Sequence, residues 1–250
     1  MPYAIPLVSF ILGLVIGSFL NVCICRLPYG GSIVSPGSAC PNCGRPLAPR
    51  DLVPVASYVA LGGKCRYCGE PISIQYPIVE LATGLLYAAI VWTYGLTFES
   101  LSLLIFVSLI IICAGTDFNT GLILNSVTFP GVAIGVAMSF VVPSMTPLES
   151  LLGLLVSGGV VWIMYAATRG RGMGGGDVKF MAMVGAFLGW DRGLLTLFLG
   201  ALIGSMVGIA RIVSGKQERR DPIPFGPFLS IGAIISVFFG AKMLGFLHLW

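Results

Sequence analysis

The chain has 250 residues, of which 56% are hydrophobic and 10% charged, with a mean hydropathy of +0.97. Soluble domains carry about 25% charged residues, so this composition excludes an ordinary soluble globule. The formal net charge of +4 is concentrated in loops between apolar stretches, where it reports on membrane topology and is no sign of nucleic-acid binding.

An α-helix crosses a bilayer with roughly 20 mostly apolar residues. Hydrophobicity predicts such helices at 4–25, 76–92, 101–116, 127–142, 148–167, 193–213 and 224–247, with a weaker one at 177–190. No basic region precedes the first, and no small-residue cleavage site follows it before Arg26, so it reads as a retained helix. Basic residues decide between seven and eight helices. One cluster is Arg26, Arg45, Arg50, Lys64 and Arg66; a second is Arg169, Arg171 and Lys179; a third is Arg211, Lys216, Arg219 and Arg220. With eight helices all three share one face, which the positive-inside rule makes cytoplasmic. With seven, the third cluster lands opposite. The reading is an all-α polytopic membrane protein of about eight transmembrane helices, with both ends facing outward.

The one sizeable polar piece, residues 26–75, falls between helices 1 and 2. About 50 residues make a small core that usually needs a metal or disulfides. Four of the seven cysteines lie there, as Cys40-Pro-Asn-Cys43 and Cys65-Arg-Tyr-Cys68. The spacing C-x2-C-x21-C-x2-C is close to that of a zinc ribbon, in which each pair forms a knuckle aiming two thiolates at one tetrahedral ion. Arg45, Lys64 and Arg66 are placed to offset the charge. Two disulfides or idle thiols are the alternatives, opposed by a reducing cytoplasm. Four filled ligand positions make such a zinc structural. The organisation expected is a first helix over 1–25, a four-cysteine zinc domain over 26–75, and a membrane domain over 76–250. Cys23, Cys25 and Cys113 fall in apolar segments and read as packing residues.

Ionisable side chains at membrane depth are expensive, so each is a functional candidate. Glu99, Glu149 and Asp191 fall in outer loops, and Asp51, Glu70, Glu218 and Asp221 in cytoplasmic ones, where solvation accounts for them. Three remain. Asp177 follows Gly174-Gly175-Gly176 and opens an apolar run, the pattern of a helix N-cap. Three glycines exceed what a cap needs and point equally to backbone approached by another group. Asp117 closes the third helix, where the macrodipole disfavours a carboxylate that has no task or partner. The eight-helix topology brings both aspartates to the cytoplasmic surface, and two isolated aspartates at one depth are the parts of an aspartic-protease dyad. The helix ends assign the ionised role to Asp177 and the protonated one to Asp117. Glu80, just inside the second helix, either balances the helix dipole or serves a site.

These features together resemble a known family, the prepilin peptidases. The matching stretches are Gly17–Val22 (GSFLNV), Arg26–Pro28 (RLP), the two cysteine pairs, Asp51–Cys68, Tyr76–Glu80 (YPIVE), Gly174–Trp190 (GGGDVKFMAMVGAFLGW) and Ile223–Leu229 (IPFGPFL). The resemblance implies an intramembrane aspartyl protease of the GxGD type, with the motif at Gly174-Gly175-Gly176-Asp177 and the partner aspartate at Asp117. It implies removal of the basic leader of prepilins or pseudopilins after a glycine, at the cytoplasmic face of the bacterial inner membrane. It also implies N-methylation of the new terminus, usually Phe, from S-adenosylmethionine, with the Cys-bearing loop tied to that half and Glu80 a candidate there. No glycine-rich dinucleotide fingerprint marks a site for the donor. The family commonly has Pro before the residue that stands here as Asn125; this chain has Leu124. Lys179 either biases the charge of the site or snorkels to headgroups, and the prolines of 222–227 suggest a rigid start to the last helix. A transporter and a non-catalytic scaffold with a zinc module are the rival classes, though neither needs both a paired carboxylate and a metal knuckle.

Overall fold

The structure, a computed structural model, describes residues 3–170, 173–214 and 224–247. Arg171, Lys216, Glu218, Arg219, Arg220, Asp221, Pro222 and Ile223 lie outside the described residues. Among those described the chain is helical, with two isolated β-bridges and no longer strand. It divides into two compact units, Met1–Ile112 and Cys113–Trp250.

In the first unit α1 (Ala4–Arg26) packs antiparallel on α3 (Gln75–Tyr94). The crossing is set by glycines four apart: a Cβ on Gly13 would lie 2.7 Å from the Gly84 Cα, and one on Gly17 would lie 2.7 Å from the Glu80 Cα. Small residues at this spacing let two helix backbones meet where lipid offers no hydrophobic drive to association. One turn further, the Asn21 side-chain amide donates to the Tyr76 carbonyl at 3.1 Å. The intervening loop carries a short helix, α2 (Ala56–Ala60), and both cysteine pairs. At the other end of the helix pair Tyr3 and Trp92 stack with ring centroids 5.5 Å apart, as amphipathic aromatics do at a membrane–water interface. α4 (Phe98–Thr120) begins in this unit and ends in the second.

The second unit holds α5 (Asn125–Met138), α6 (Pro147–Thr168), α7 (Gly175–Val213) and α8 (Gly226–Leu247). The 39 residues of α7 are two arms, broken at Gly189 (φ 83°, ψ 176°), a backbone conformation open to glycine. A Cβ on Gly193 would lie 3.5 Å from the Gly185 Cα. Eight residues of unbroken helix would separate them by about 12 Å. The chain therefore doubles back. The first arm lies along α6, where the Ser150 hydroxyl donates to the Ala186 carbonyl at 2.7 Å and Gly153 meets Gly185 backbone to backbone. The second arm pairs antiparallel with α8, Thr196 donating to Ser236 at 3.0 Å and Gly200 abutting Leu229.

Among the described residues six helices are long and apolar enough to cross a membrane, counting α7 as one, and α5 is a shorter apolar helix. All eight expected helices thus appear, two of them as arms of α7. The 177–190 segment is only just long enough to span, and Phe180, Met181, Met183, Val184 and Ala186 in it are all fully buried, so this arm is a core helix. Helix α5, at 14 residues, is about 21 Å long and stops four residues before the expected end at 142. Leu148, Leu155, Trp162 and Ile163 of α6 stand exposed, as lipid-facing side chains should.

Candidate active site

In the second unit the two aspartates are both buried and both held by the start of a helix. Asp117 lies in the last turn of α4, and its Oδ2 accepts the Gly226 N–H at 2.8 Å. Gly226 opens α8, whose N-terminal amides carry a partial positive charge. This corrects the contrast drawn from helix ends: Asp117 closes a negative terminus but rests on a positive one 109 residues away. The contact is close enough that a Cβ on Gly226 would fall 2.8 Å from Asp117 Oδ2.

Asp177 is the third residue of α7 rather than its N-cap. Gly174 is the cap, and Asp177 reaches back so that Oδ2 accepts the Gly174 N–H at 2.9 Å. The carboxylate therefore caps in reverse, as the acidic member of a capping box does. The three glycines divide their labour: a Cβ on Gly176 would meet Ile123 Cβ at 2.9 Å, whereas one on Gly175 would meet nothing within 4 Å. The starts of α5 and α7 lie side by side, joined where Lys179 Nζ donates to Asn125 Oδ1 at 2.7 Å and stands 5.6 Å from the Phe129 ring. Lys179 is thus tied to the first residue of α5 rather than extended alone. The link from α4 to α5 packs on Gly176 through Ile123, which brings the start of α7 to the end of α4 that carries Asp117.

In the first unit the four thiols converge. The Sγ atoms of Cys40, Cys43, Cys65 and Cys68 lie within 4.8 Å of one another, with Cys40 and Cys68 at 3.9 Å, and none is in a disulfide. Ligands 2.3 Å from a tetrahedral zinc stand about 3.8 Å apart, so the cluster fits that ion. Both knuckles have one geometry. Gly44 N–H donates to Cys40 O and Gly69 N–H to Cys65 O, each at 2.9 Å, with φ of 69° and 74° at the glycines. Antiparallel bridges Ala39–Pro46 and Lys64–Pro71 close them. The backbone N–H groups of Cys43 and Asn42 bring the Cys40 thiol down to about 7. Cys68 is pushed up to about 11, its Glu70 N–H outweighed by burial and neighbouring thiols. A cation is what would strip the cluster of its protons near neutral pH.

Several loop residues differ from expectation. Asp51, read as a solvated loop charge, has a side chain only 3% exposed and accepts from Arg66 at 2.7 Å, from Tyr67 at 3.0 Å and from Ala48 N–H at 3.3 Å. The Arg66 bond holds its carboxyl below the usual carboxylate range. Arg66 therefore serves Asp51, and Arg45 lies over the Tyr67 ring at 5.6 Å. Glu149 is likewise no bare loop charge: it completes a capping box with Thr146 at the start of α6. Cys23 and Cys113 are buried as expected, but Cys25 is exposed, its sulfur 3.7 Å from the Tyr76 hydroxyl.

Glu80 is buried, and its Oε2 accepts the Val55 N–H at 2.7 Å. Val55 has φ 59° and ψ −48°, a conformation disfavoured for a β-branched residue. Glu80 borders a cavity of about 520 Å³ within this unit, lined by the end of α1, the cysteine loop and the start of α3.

The sequence relations agree with this division. Residues 11–94 match the bacterial peptidase A24 N-terminal domain, and residues 104–209 match the type IV leader peptidase family. A prepilin leader peptidase/N-methyltransferase of Bacillus subtilis (strain 168) is 36% identical over 239 residues, covering 96% of each chain. The chain belongs to the type IV leader peptidase family. A second relative of the same description, from Pseudomonas aeruginosa, is 33% identical over 97% of this chain and 93% of its own. One from Myxococcus xanthus is 38% identical over 84% of this chain and 64% of its own. No solved structure matches. Family membership leaves the transporter and scaffold readings without support.

Proposed function

We propose that this chain is an intramembrane aspartic endopeptidase that removes the basic leader from type IV prepilins or pseudopilins after a glycine, and then N-methylates the new terminus, usually Phe. What carries the proteolytic reading is the pair Asp117 and Asp177: both buried in the second unit, and each fixed through Oδ2 by the first amides of a helix. Anchoring one oxygen of each carboxyl leaves the other for water and substrate. With one proton shared between them, the ionised carboxylate takes a proton from water as it attacks the scissile carbonyl. The protonated partner gives its own to the carbonyl oxygen. Collapse of the tetrahedral adduct returns that proton to the pair, while the carboxyl that took water's proton passes it to the departing nitrogen, which leaves as a neutral amine. Hydrogen-bonded helical backbone cannot be attacked, so the cleaved segment must be extended beside Asp177. The first amides of α7, at Gly175 and Gly176, suit such a segment, the Gly174 N–H being held by Asp177. Gly174 and Gly176 are structural to the loop, and Lys179 joins it to α5 through Asn125.

Residues 26–75 form a zinc domain inserted between the first helix and a protease part over 76–250. Cys40, Cys43, Cys65 and Cys68 hold the ion, which with four thiolates supplies folding energy and no open coordination position. S-adenosylmethionine supplies an activated methyl group, transferred with its bonding pair left on sulfur as the neutral amine forms an N–C bond and sheds a proton. The buried Asn21 Oδ1, which has no donor among the described residues, and the buried Glu80 carboxylate fit such a cationic, N–H-bearing donor. Basic residues Arg26, Arg45, Arg50, Lys64, Arg66, Arg169, Lys179 and Arg211 support a cytoplasmic side for the cysteine loop and the aspartates, in the bacterial inner membrane. Incubating the purified, zinc-loaded protein with a synthetic prepilin and S-adenosylmethionine, and reading products by mass spectrometry, tests the whole. The expected product begins after the glycine and carries one methyl group; an intact prepilin would refute the reading.

A further inference from the structure

We propose that the 520 Å³ cavity bounded by α1, the cysteine loop and α3 is the binding site of the methyl donor, a nucleoside sulfonium. The inference deepens the methyltransferase reading and rests on it. Its volume lies in the range of roughly 300–1,000 Å³ typical of small-molecule sites.

Two observations point independently to the ligand's chemistry. The first is an orphaned acceptor. Asn21 lines the cavity and is 1% exposed; its amide nitrogen donates to Gly17 O and Tyr76 O, yet its Oδ1 has no partner among the described residues. Buried carbonyl oxygens are almost always satisfied, so an N–H-bearing ligand is called for, as an adenine amino group or an α-ammonium provides. The second is a carboxylate without a cation. Glu80 borders the same cavity, and both arginines that line it are committed elsewhere. Arg26 donates to the carbonyls of Ser32, Pro36 and Gly37, and Arg66 is paired with Asp51. Glu80 is left with neutral partners, among them the Val55 N–H. A buried anion so placed complements a cationic guest. Tyr58 and Tyr76 on the walls offer faces to an adenine or a sulfonium.

Glu80 also holds Val55 in its disfavoured backbone conformation. Strain of this kind persists where the surroundings over-determine it, and it gathers at ligand clamps. The loop that carries Val55 also carries the cysteine knuckles, so the zinc module forms one wall of the pocket.

The test uses the full, zinc-loaded protein in detergent. Calorimetry measures S-adenosylmethionine and its neutral product S-adenosylhomocysteine on wild type and Glu80→Gln. The exposed thiol of Cys25, which lines the cavity, reports occupancy of the wild type through its alkylation rate with a maleimide. The expected result is slower Cys25 alkylation with donor present. In Glu80→Gln the sulfonium should bind about tenfold or more weaker, with a much smaller loss for the neutral thioether. The thiol readout needs no variant, so it stands even if Glu80→Gln misfolds. Donor binding with unchanged Cys25 alkylation and unchanged affinity in Glu80→Gln would overturn the site, while leaving the methyltransferase reading in place. A wild type that neither binds the donor nor methylates a cleaved pilin would sink that reading and this inference together.

Discussion

Gly226→Ala separates the proposed dyad from a merely buried pair of acids. The added methyl would lie 2.8 Å from Asp117 Oδ2, 3.1 Å from its Cβ and 3.2 Å from its Cγ. All three atoms are fixed to the last turn of α4, so the first turn of α8 must withdraw and the 2.8 Å N–H···Oδ2 bond must lengthen or break. A hydrogen bond to a charged group contributes about 1.5–3 kcal/mol. At 1.36 kcal/mol per factor of ten, its loss lowers kcat/KM for leader cleavage roughly 10- to 150-fold. Steady-state cleavage of a synthetic prepilin measures this, and donor binding measured in parallel should not change, because the cavity belongs to the other unit. Cleavage within about twofold of wild type would refute the role given to Gly226. An equal loss of donor binding would show general disruption instead.

Gly175→Ala should be tolerated, since nothing lies within 4 Å of the new methyl, whereas Gly176→Ala drives a methyl to 2.9 Å from Ile123 Cβ. Overpacking of this kind costs about 1–3 kcal/mol, and a cleavage assay in which Gly175→Ala is the more damaged would contradict the division. Val55→Gly should raise the thermal unfolding temperature by relieving about 1–3 kcal/mol of backbone strain while weakening donor affinity. Unchanged stability would show that the conformation is not costly. Asp51→Asn removes the tie to Arg66 and should hasten zinc release to a chelator. Because the Asp51 carboxyl is held below its ordinary value of about 3.9, its contribution is complete above that value and drains only as pH falls further. The variant's deficit should therefore be constant between about pH 5 and 8; a deficit that vanished within that window would contradict the pairing.

Much of the site is legible in the sequence because charge is rare in the chain. Ten acidic residues in 250 leave few candidates at membrane depth, and elimination leaves Glu80, Asp117 and Asp177, of which the shared membrane face and the family resemblance single out the two aspartates. The cysteine knuckles are equally local, since C-x2-C followed by glycine fixes each turn within a few residues. Other features are written in the chain without standing out. Gly13 and Gly17 form a G-x-x-x-G stripe in α1, and Thr146-Pro-Leu-Glu149 spells a capping box that makes Glu149 more than a loop charge. What no local pattern reveals is contact between distant segments. Gly226 reaches Asp117 across 109 residues, and Glu80 reaches Val55 across 25. The break at Gly189 is intermediate. A glycine between Leu188 and Trp190 permits a reversal, but Gly185 and Gly193 meeting across it is a product of packing.

The most direct measurement is leader cleavage by Asp117→Asn, Asp177→Asn and the double variant, each in the zinc-loaded protein with donor binding as the check on folding. Residues that act as one unit lose function together rather than additively. The account predicts that each single variant abolishes leader release, that the double variant is no worse, and that all three bind S-adenosylmethionine as wild type does. Leader release persisting in either single variant would contradict it.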